Sequence, residues 1–177
     1  KALSEEIKLN ALSTFVDILS IKTKPLLEVQ SFEEILPRYV GTHPMAGREV
    51  SGPQSARGDL FNGRTWILTS GELTSRQSLD RATELIALCG GVLVKLTPQE
   101  HDQAMALISH TPQILASLLA SHLVGSNPQW LGLIGQGFKD VTRIADSDPS
   151  LWREIISENA ENILPVLRSF RQKLEDA

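Results

Sequence analysis

Apolar and polar positions change their period once along the 177-residue chain, and the change divides it in two. In the first half, short β-type runs alternate with helical ones. Residues 15–21, 38–41, 65–69 and 92–96 read as strands. Between the last two, Leu79, Ala82, Leu85, Ile86 and Cys89 recur at three–four spacing. That spacing predicts a helix over 75–88, stopped by Gly90-Gly91. Residues 4–12 are charged and helix-like. Alternation of this kind implies a parallel sheet with helices on its faces. After Thr97 the strand signal stops. Thr97-Pro98-Gln99-Glu100 is a capping box with proline at the first helical position. The helix it opens carries Ala104, Met105, Leu107 and Ile108, and Pro112 then breaks or kinks the path for want of an N–H. Ile114, Leu115, Leu118, Leu119 and Leu123 continue the stripe to the Gly125-Ser126-Asn127-Pro128 turn. Asp148-Pro149 starts the last helix, with a stripe of Trp152, Ile155, Ile156, Ile163, Val166, Leu167, Phe170 and Leu174. The expected fold is α/β plus all-α, with an α/β part over 1–96 and a helical part over 97–177.

Composition narrows the classes of partner. There are 17 basic and 21 acidic residues, a net charge of −4, and no basic patch with interleaved aromatics. Nucleic acid is therefore an unfavoured partner. No apolar run approaches the roughly 20 residues of a membrane span, and no signal-peptide pattern opens the chain. The single Cys89 forms no internal disulfide and reads as a buried thiol. A reducing, cytoplasmic setting is expected. No set of residues has the spacing of metal ligands.

Two segments carry candidate chemistry. Gly41-Thr42-His43-Pro44-Met45-Ala46-Gly47 places an imidazole on a glycine-flanked loop at the carboxyl end of a strand, the edge where open parallel sheets bind ligands. Gly137-Phe138-Lys139-Asp140-Val141-Thr142-Arg143 sets a guanidinium, which can grip a carboxylate in two parallel bonds, in a loop among polar partners. Together with the Asp17-Ile18-Leu19-Ser20-Ile21-Lys22 strand, Glu49 and Gly52, and Ser109-His110-Thr111-Pro112, these motifs resemble the prephenate/arogenate dehydrogenases of tyrosine biosynthesis. The order and spacing match that family from Asp17 to the C-terminus.

The resemblance implies the C-terminal part of a Rossmann-like dinucleotide-binding domain (1–96) followed by a helical dimerisation and substrate domain (97–177). It implies NAD or NADP as cofactor, a homodimer built mainly from residues after Thr97, and prephenate or arogenate as the small-molecule substrate. The G-x-G-x-x-G turn that holds a pyrophosphate is absent; Gly132-Leu133-Ile134-Gly135-Gln136-Gly137 has the wrong spacing and follows no strand. The first half of the nucleotide domain is accordingly expected upstream. The alternative is a truncated, non-catalytic dimerisation or regulatory module of such an enzyme. Another dehydrogenase, acting on a small ketoacid or hydroxyacid, would leave the His43 loop and the 17–22 motif unexplained.

On this reading His43 is the general base, taking the proton of the substrate's ring 4-hydroxyl, since an imidazole accepts protons near neutrality. Ser20 would reach His43 or the same hydroxyl; its alternative is a serine satisfying its own turn. Lys22 is equally a solvated or structural charge or a ligand, and Asp17 reads as structural. Arg143 binds the ring carboxylate, with a salt bridge to Asp140 as the alternative, or Asp140 orienting it. Lys139 adds positive potential, and Gly135 and Gly137 keep the backbone out of the pocket's way. Ser109 and His110 are substrate contacts or structural groups. The family carries a second histidine where this chain has Gln113, whose amide would accommodate arogenate's ammonium. Glu49 gates the pocket, pairs with a cation, or is a solvated carboxylate. Ser20, Pro44 and Gly47 would meet the cofactor. His101-Asp102 and His122 read as structural.

Overall fold

The computed structural model describes residues 12–47 and 56–177. Contacts divide these into two units, 12–47 with 56–102, and 103–177. Glu49, Gly52 and the expected N-terminal helix up to residue 11 lie outside the described residues.

The first unit is built on a four-stranded sheet in the order β1 (Phe15–Asp17), β2 (Tyr39–Pro44), β3 (Thr65–Thr69), β4 (Val92–Lys95). β1 and β2 are parallel, as are β3 and β4, but β2 and β3 are antiparallel. The sheet is therefore mixed, where alternation alone implied a parallel one. Parallel neighbours need a crossover. The helices α1 (Thr23–Val29) and α2 (Arg76–Leu88) supply it on the two parallel connections. The described residues between β2 and β3 form turns, which suit an antiparallel return. β1 ends at Asp17 rather than at residue 21. There the Asp17 side chain accepts the Leu19 N–H at 2.9 Å, closing a side-chain turn that ends the strand.

Period-two alternation sorts the sheet into two faces. On one, Val40, Trp66 and Leu68 pack against Ala82 and Ile86 of α2. Ser75 caps that helix by accepting the Ser78 N–H at 3.2 Å, and Gly90 ends it in the left-handed region at φ +75°. On the other face, Phe15 and Tyr39 pack with Ile35, Leu26 and Val29. Asp17, Gly41 and His43 share this second face by the same alternation. It is apolar at one end and polar at the other.

The helix α3 (Pro98–Met105) starts with the expected capping box. Thr97 N–H donates to Glu100 Oε2 at 2.8 Å, and Glu100 N–H returns to Thr97 Oγ1 at 3.2 Å. It runs into a π-helical turn, Ala106–His110, and then α4 (Thr111–Ser121). The wide turn sits where the Pro112 ring would collide with the carbonyl four residues back. By length and composition Pro98–Ser121 could cross a membrane, contrary to the sequence reading. Its buried His101, His110 and Gln113 all bond to other protein groups, as in a core helix.

The second unit continues with α5 (Pro128–Leu131), α6 (Gln136–Thr142), a 3-10 turn (Arg143–Asp146), α7 (Pro149–Glu158) and α8 (Ala160–Glu175). The single last helix expected from Asp148-Pro149 is thus two. They part at Asn159, at φ −111° and ψ 18°, whose buried amide takes a bond from Asn162 and gives one to His110. A buried amide without partners is costly, and the backbone leaves helical geometry where this one finds them.

Candidate active site

The polar end of the second sheet face is a connected network. Asp17, on β1, pairs with the Lys22 ammonium and accepts the Tyr39 hydroxyl. Lys22 is fully buried, at 1% exposure, so it is a structural cation and not a solvated one. Burial pushes its pKa down, against the charge of and hydrogen bond to Asp17 and the charge of Asp102. Burial, then the Asp17 charge, pushes the Tyr39 phenol far up, so it stays a donor.

Gly41 lies beneath this pair. A Cβ there would stand 2.6 Å from Thr69 Oγ1 and 3.3 Å from both Asp17 Oδ2 and Lys22 Cδ. The missing side chain makes room for the ion pair.

The network reaches His43 from the far side. Asp102, in the first turns of α3, accepts the N–H of Lys22 on one oxygen and that of Thr23 on the other, both at 2.9 Å. These bonds tie the start of α1 to α3. The same carboxylate lies 2.7 Å from His101 Nδ1, and His101 Nε2 lies 2.9 Å from His43 Nδ1. Burial would raise the Asp102 pKa. Hydrogen bonds from His101, Thr23 and Lys22 outweigh that and hold it below the ordinary carboxylate range. Asp102 is an anion at neutral pH. The three groups form a line, carboxylate to imidazole to imidazole, rather than converging on a point as metal ligands would. Among the described residues no group of His, Cys, Asp and Glu could hold a metal ion.

His43 itself is the penultimate residue of β2, paired opposite Ile67, and is half-buried. Sequence reasoning missed that His101 and Asp102 serve it. The one available signal was an adjacent imidazole and carboxylate in the first turns of a helix whose start the capping box fixes. Ser20 is half-buried in the bend after β1, Pro44 closes β2, and Gly47 is exposed with nothing within 4 Å of a built Cβ.

In the second unit, the segment read as a loop around Lys139 and Arg143 is helical. Lys139 and Asp140 are exposed on α6, and Arg143, also exposed, opens the 3-10 turn. Asp140 accepts the Gln136 amide at 2.7 Å. Gln113 is buried on α4, and its Nε2 donates to Ile144 O at 2.9 Å, tying the turn that carries Arg143 to that helix. His110 is buried, its Nδ1 3.0 Å from Asn159 Nδ2 and its ring edge-on to Trp152 at 6.0 Å. Ser109 is half-buried in the π turn, and Gly135 and Gly137 have no atom within 4 Å of a built Cβ.

The prephenate dehydrogenase nucleotide-binding domain model matches residues 1–95, and the prephenate dehydrogenase dimerization domain model matches 97–177. The chain belongs to the prephenate dehydrogenase family. Within it, the chain is 36% identical over 154 residues to the prephenate dehydrogenase of Bacillus subtilis, covering 84% of this chain and 41% of that protein. It is 34% identical over 161 residues to the probable prephenate dehydrogenase NovF of Streptomyces niveus, covering 90% and 44%. A crystal structure of prephenate dehydrogenase from A. aeolicus, in complex with hydroxyphenyl propionate and NAD+, superposes at a TM-score of 0.86 with 34% identity. That match covers 94% of this chain and 59% of the other. The chain thus spans less than half the length of the two relatives. The Rossmann-like fold of the family, joined to a helical region, is the fold described above.

Proposed function

We propose that this chain carries the general base and the carboxylate-binding cation of an NAD(P)-dependent dehydrogenase. The reaction is oxidative decarboxylation of a cyclohexadienol, prephenate or arogenate. One observation supports this above the rest: His43 stands at the carboxyl end of β2, hydrogen-bonded at Nδ1 to His101 Nε2 at 2.9 Å. A base whose ring is oriented by a hydrogen-bonded third group is the arrangement that activates it.

His43 takes the proton of the ring 4-hydroxyl, and Ser20 orients that hydroxyl. Arg143 grips the ring carboxylate, with Lys139 adding positive potential, until loss of carbon dioxide leaves the ring aromatic. A bound nicotinamide supplies the hydride acceptor. The residues present fit the nicotinamide end of such a cofactor: Ser20, Pro44 and the open space over Gly47. They do not fit the pyrophosphate. Gly71, the glycine between β3 and α2, has Leu26 Cδ1 3.2 Å from a built Cβ.

Gln113 supports arogenate over prephenate. With the two N–H groups of Nε2 directed at Ile144 O (2.9 Å) and Ser117 Oγ (3.4 Å), its carbonyl is left to meet a further group. A carbonyl suits an ammonium donor and not a keto oxygen. Gln113→His should then move preference toward prephenate, and an unmoved ratio of the two substrates refutes that assignment.

A homodimer fits the same reading. Leu151, Leu164, Phe170 and Leu174 on the last two helices are exposed, an apolar surface that needs covering. Light scattering that reports a stable monomer at micromolar concentration would rule it out.

The test of the site is kinetic, in an enzyme that joins this chain to its nucleotide-binding residues. His43→Ala removes a general base, so kcat should fall by roughly 10²–10⁴ while KM changes little. Arg143→Ala removes a charge-assisted bond of roughly 1.5–3 kcal/mol, so substrate affinity should fall about ten- to a hundred-fold. Normal turnover and affinity in both variants would overturn the assignment.

A further inference from the structure

The line Asp102–His101–His43 has a direction, because each nitrogen in it carries a proton or a lone pair. Asp102 is ionised and accepts, so His101 Nδ1, 2.7 Å away, must be the N–H that donates to it. A neutral imidazole with its proton on Nδ1 has its lone pair on Nε2. His101 Nε2 therefore accepts, and the partner 2.9 Å away, His43 Nδ1, donates. His43 is then left with its lone pair on Nε2. One fixed negative charge decides which nitrogen of His43 is basic.

We propose that His101 and Asp102 are positioning residues for the base: they hold His43 as the Nδ1–H tautomer with a basic Nε2, and stabilise the imidazolium formed when Nε2 takes the substrate's proton. The proposal rests on His43 being that base. The arrangement follows the logic of a base oriented by a carboxylate, with a second imidazole inserted between them. The insertion has a geometric cause. Both Asp102 oxygens bond the N–H groups at the start of α1, at 2.9 Å each, which holds the carboxylate at that end of the network. His101 is fully buried, at 0% exposure, and spans from it to His43.

Charge supports the direction. Among the described residues, the charged and titratable groups linked to the line are Asp17 from β1, Lys22 from the segment before α1, Tyr39 from β2, and His101 and Asp102 from α3. Asp17 pairs with the Lys22 ammonium and accepts from Tyr39. Asp17 and Lys22 balance each other and Tyr39 stays neutral, so the Asp102 anion, which also feels the Lys22 charge, favours the cation that forms on His43.

The tautomers are measurable on the 177-residue chain itself, without cofactor or turnover. Nitrogen-15 NMR of the imidazoles should show both His43 and His101 protonated on Nδ1 near neutral pH. Finding His43 protonated on Nε2 overturns the proposal. His101→Phe keeps a ring in the buried site but removes the acceptor, so the Nδ1–H preference of His43 should be lost. In the complete enzyme, the same change should lower kcat about ten- to a hundred-fold with KM nearly unchanged. It should also move the acid limb of the pH–rate profile to lower pH, because the imidazolium has lost its stabiliser. His101→Gln restores a carbonyl that can accept from Nδ1 and should recover part of kcat. A folded His101→Phe enzyme with a wild-type kcat and acid limb overturns the positioning role. If His43→Ala also retains turnover, the base assignment itself has failed; if only the His101 variants are normal, the base stands and the line behind it does not.

Discussion

Gly41→Ala pits two opposite effects against each other at one position. Gly41 is not among the glycines with positive φ, so alanine fits its backbone. Reducing the freedom of the unfolded chain should then stabilise the fold by about 0.4–1 kcal/mol. Against this, the new methyl would stand 2.6 Å from Thr69 Oγ1 and 3.3 Å from Asp17 Oδ2 and Lys22 Cδ. Thr69 is buried, and its hydroxyl donates to Gly41 O at 3.3 Å. Turning that hydroxyl aside leaves a buried polar group short of a partner, a cost of about 1–3 kcal/mol. Overpacking in a tight site costs the same order, about 1–3 kcal/mol, and describes the same strain, so the two are not added. The net expectation is a loss of about 1–2 kcal/mol, or roughly five- to thirty-fold in the opening equilibrium. Hydrogen exchange at the β2 and β3 amides reads this in the sheet alone. The same chemical change at Gly137, the second residue of α6 with nothing within 4 Å of a built Cβ, should instead stabilise its helix, by at most about 0.5–1 kcal/mol. If β2 amides exchange no faster in Gly41→Ala than in the wild type, the steric argument for that glycine is wrong.

Lys22→Met should cost about 3–5 kcal/mol, because it strips Asp17 of a buried partner; Lys22→Met/Asp17→Leu should recover much of the loss. Equal denaturant midpoints for wild type and Lys22→Met would show the pair to be dispensable. Asp102 has a folded pKa below its unfolded one, so its contribution is present above about pH 4 and is lost as pH falls through the folded value. Asp102→Asn should therefore be less stable at neutral pH and lose less on acidification below about pH 4, and an unaltered slope there would contradict the linkage.

The fold was legible in the sequence wherever local chemistry decides it. The Thr97–Glu100 box, the Asp148 cap with Pro149, and the Ser75 start of α2 all form as their residue types dictate. What the sequence could not carry was pairing. The antiparallel junction of β2 and β3 depends on how the chain returns between them, and strand composition is silent on that. The lengths of β1 and β2 were misread for related reasons. Asp17 ends β1 through its own side chain, while β2 gains Thr42, His43 and Pro44 because β3 offers Leu68, Ile67 and Trp66 opposite them. At the site, His43 stood out because its neighbours in sequence are unusual. His101 and Asp102 did not, since their meaning lies in a contact with residues 58 and 80 positions away.

Asp102 joins these two stories. It accepts the N–H groups that open α1, and it anchors the imidazole behind His43. A substitution there acts on folding and on His43 together, and a lost activity would not say which. His101 makes the second link without the first, so its variants leave the Asp102 bonds to the start of α1 in place. The same division explains why a network this polar sits on a sheet face that could have been apolar. Tyr39, Asp17 and Lys22 satisfy one another at its centre. That leaves the Asp102 charge to serve two ends, the N–H groups that open α1 and the chain of hydrogen bonds that runs through His101 to His43.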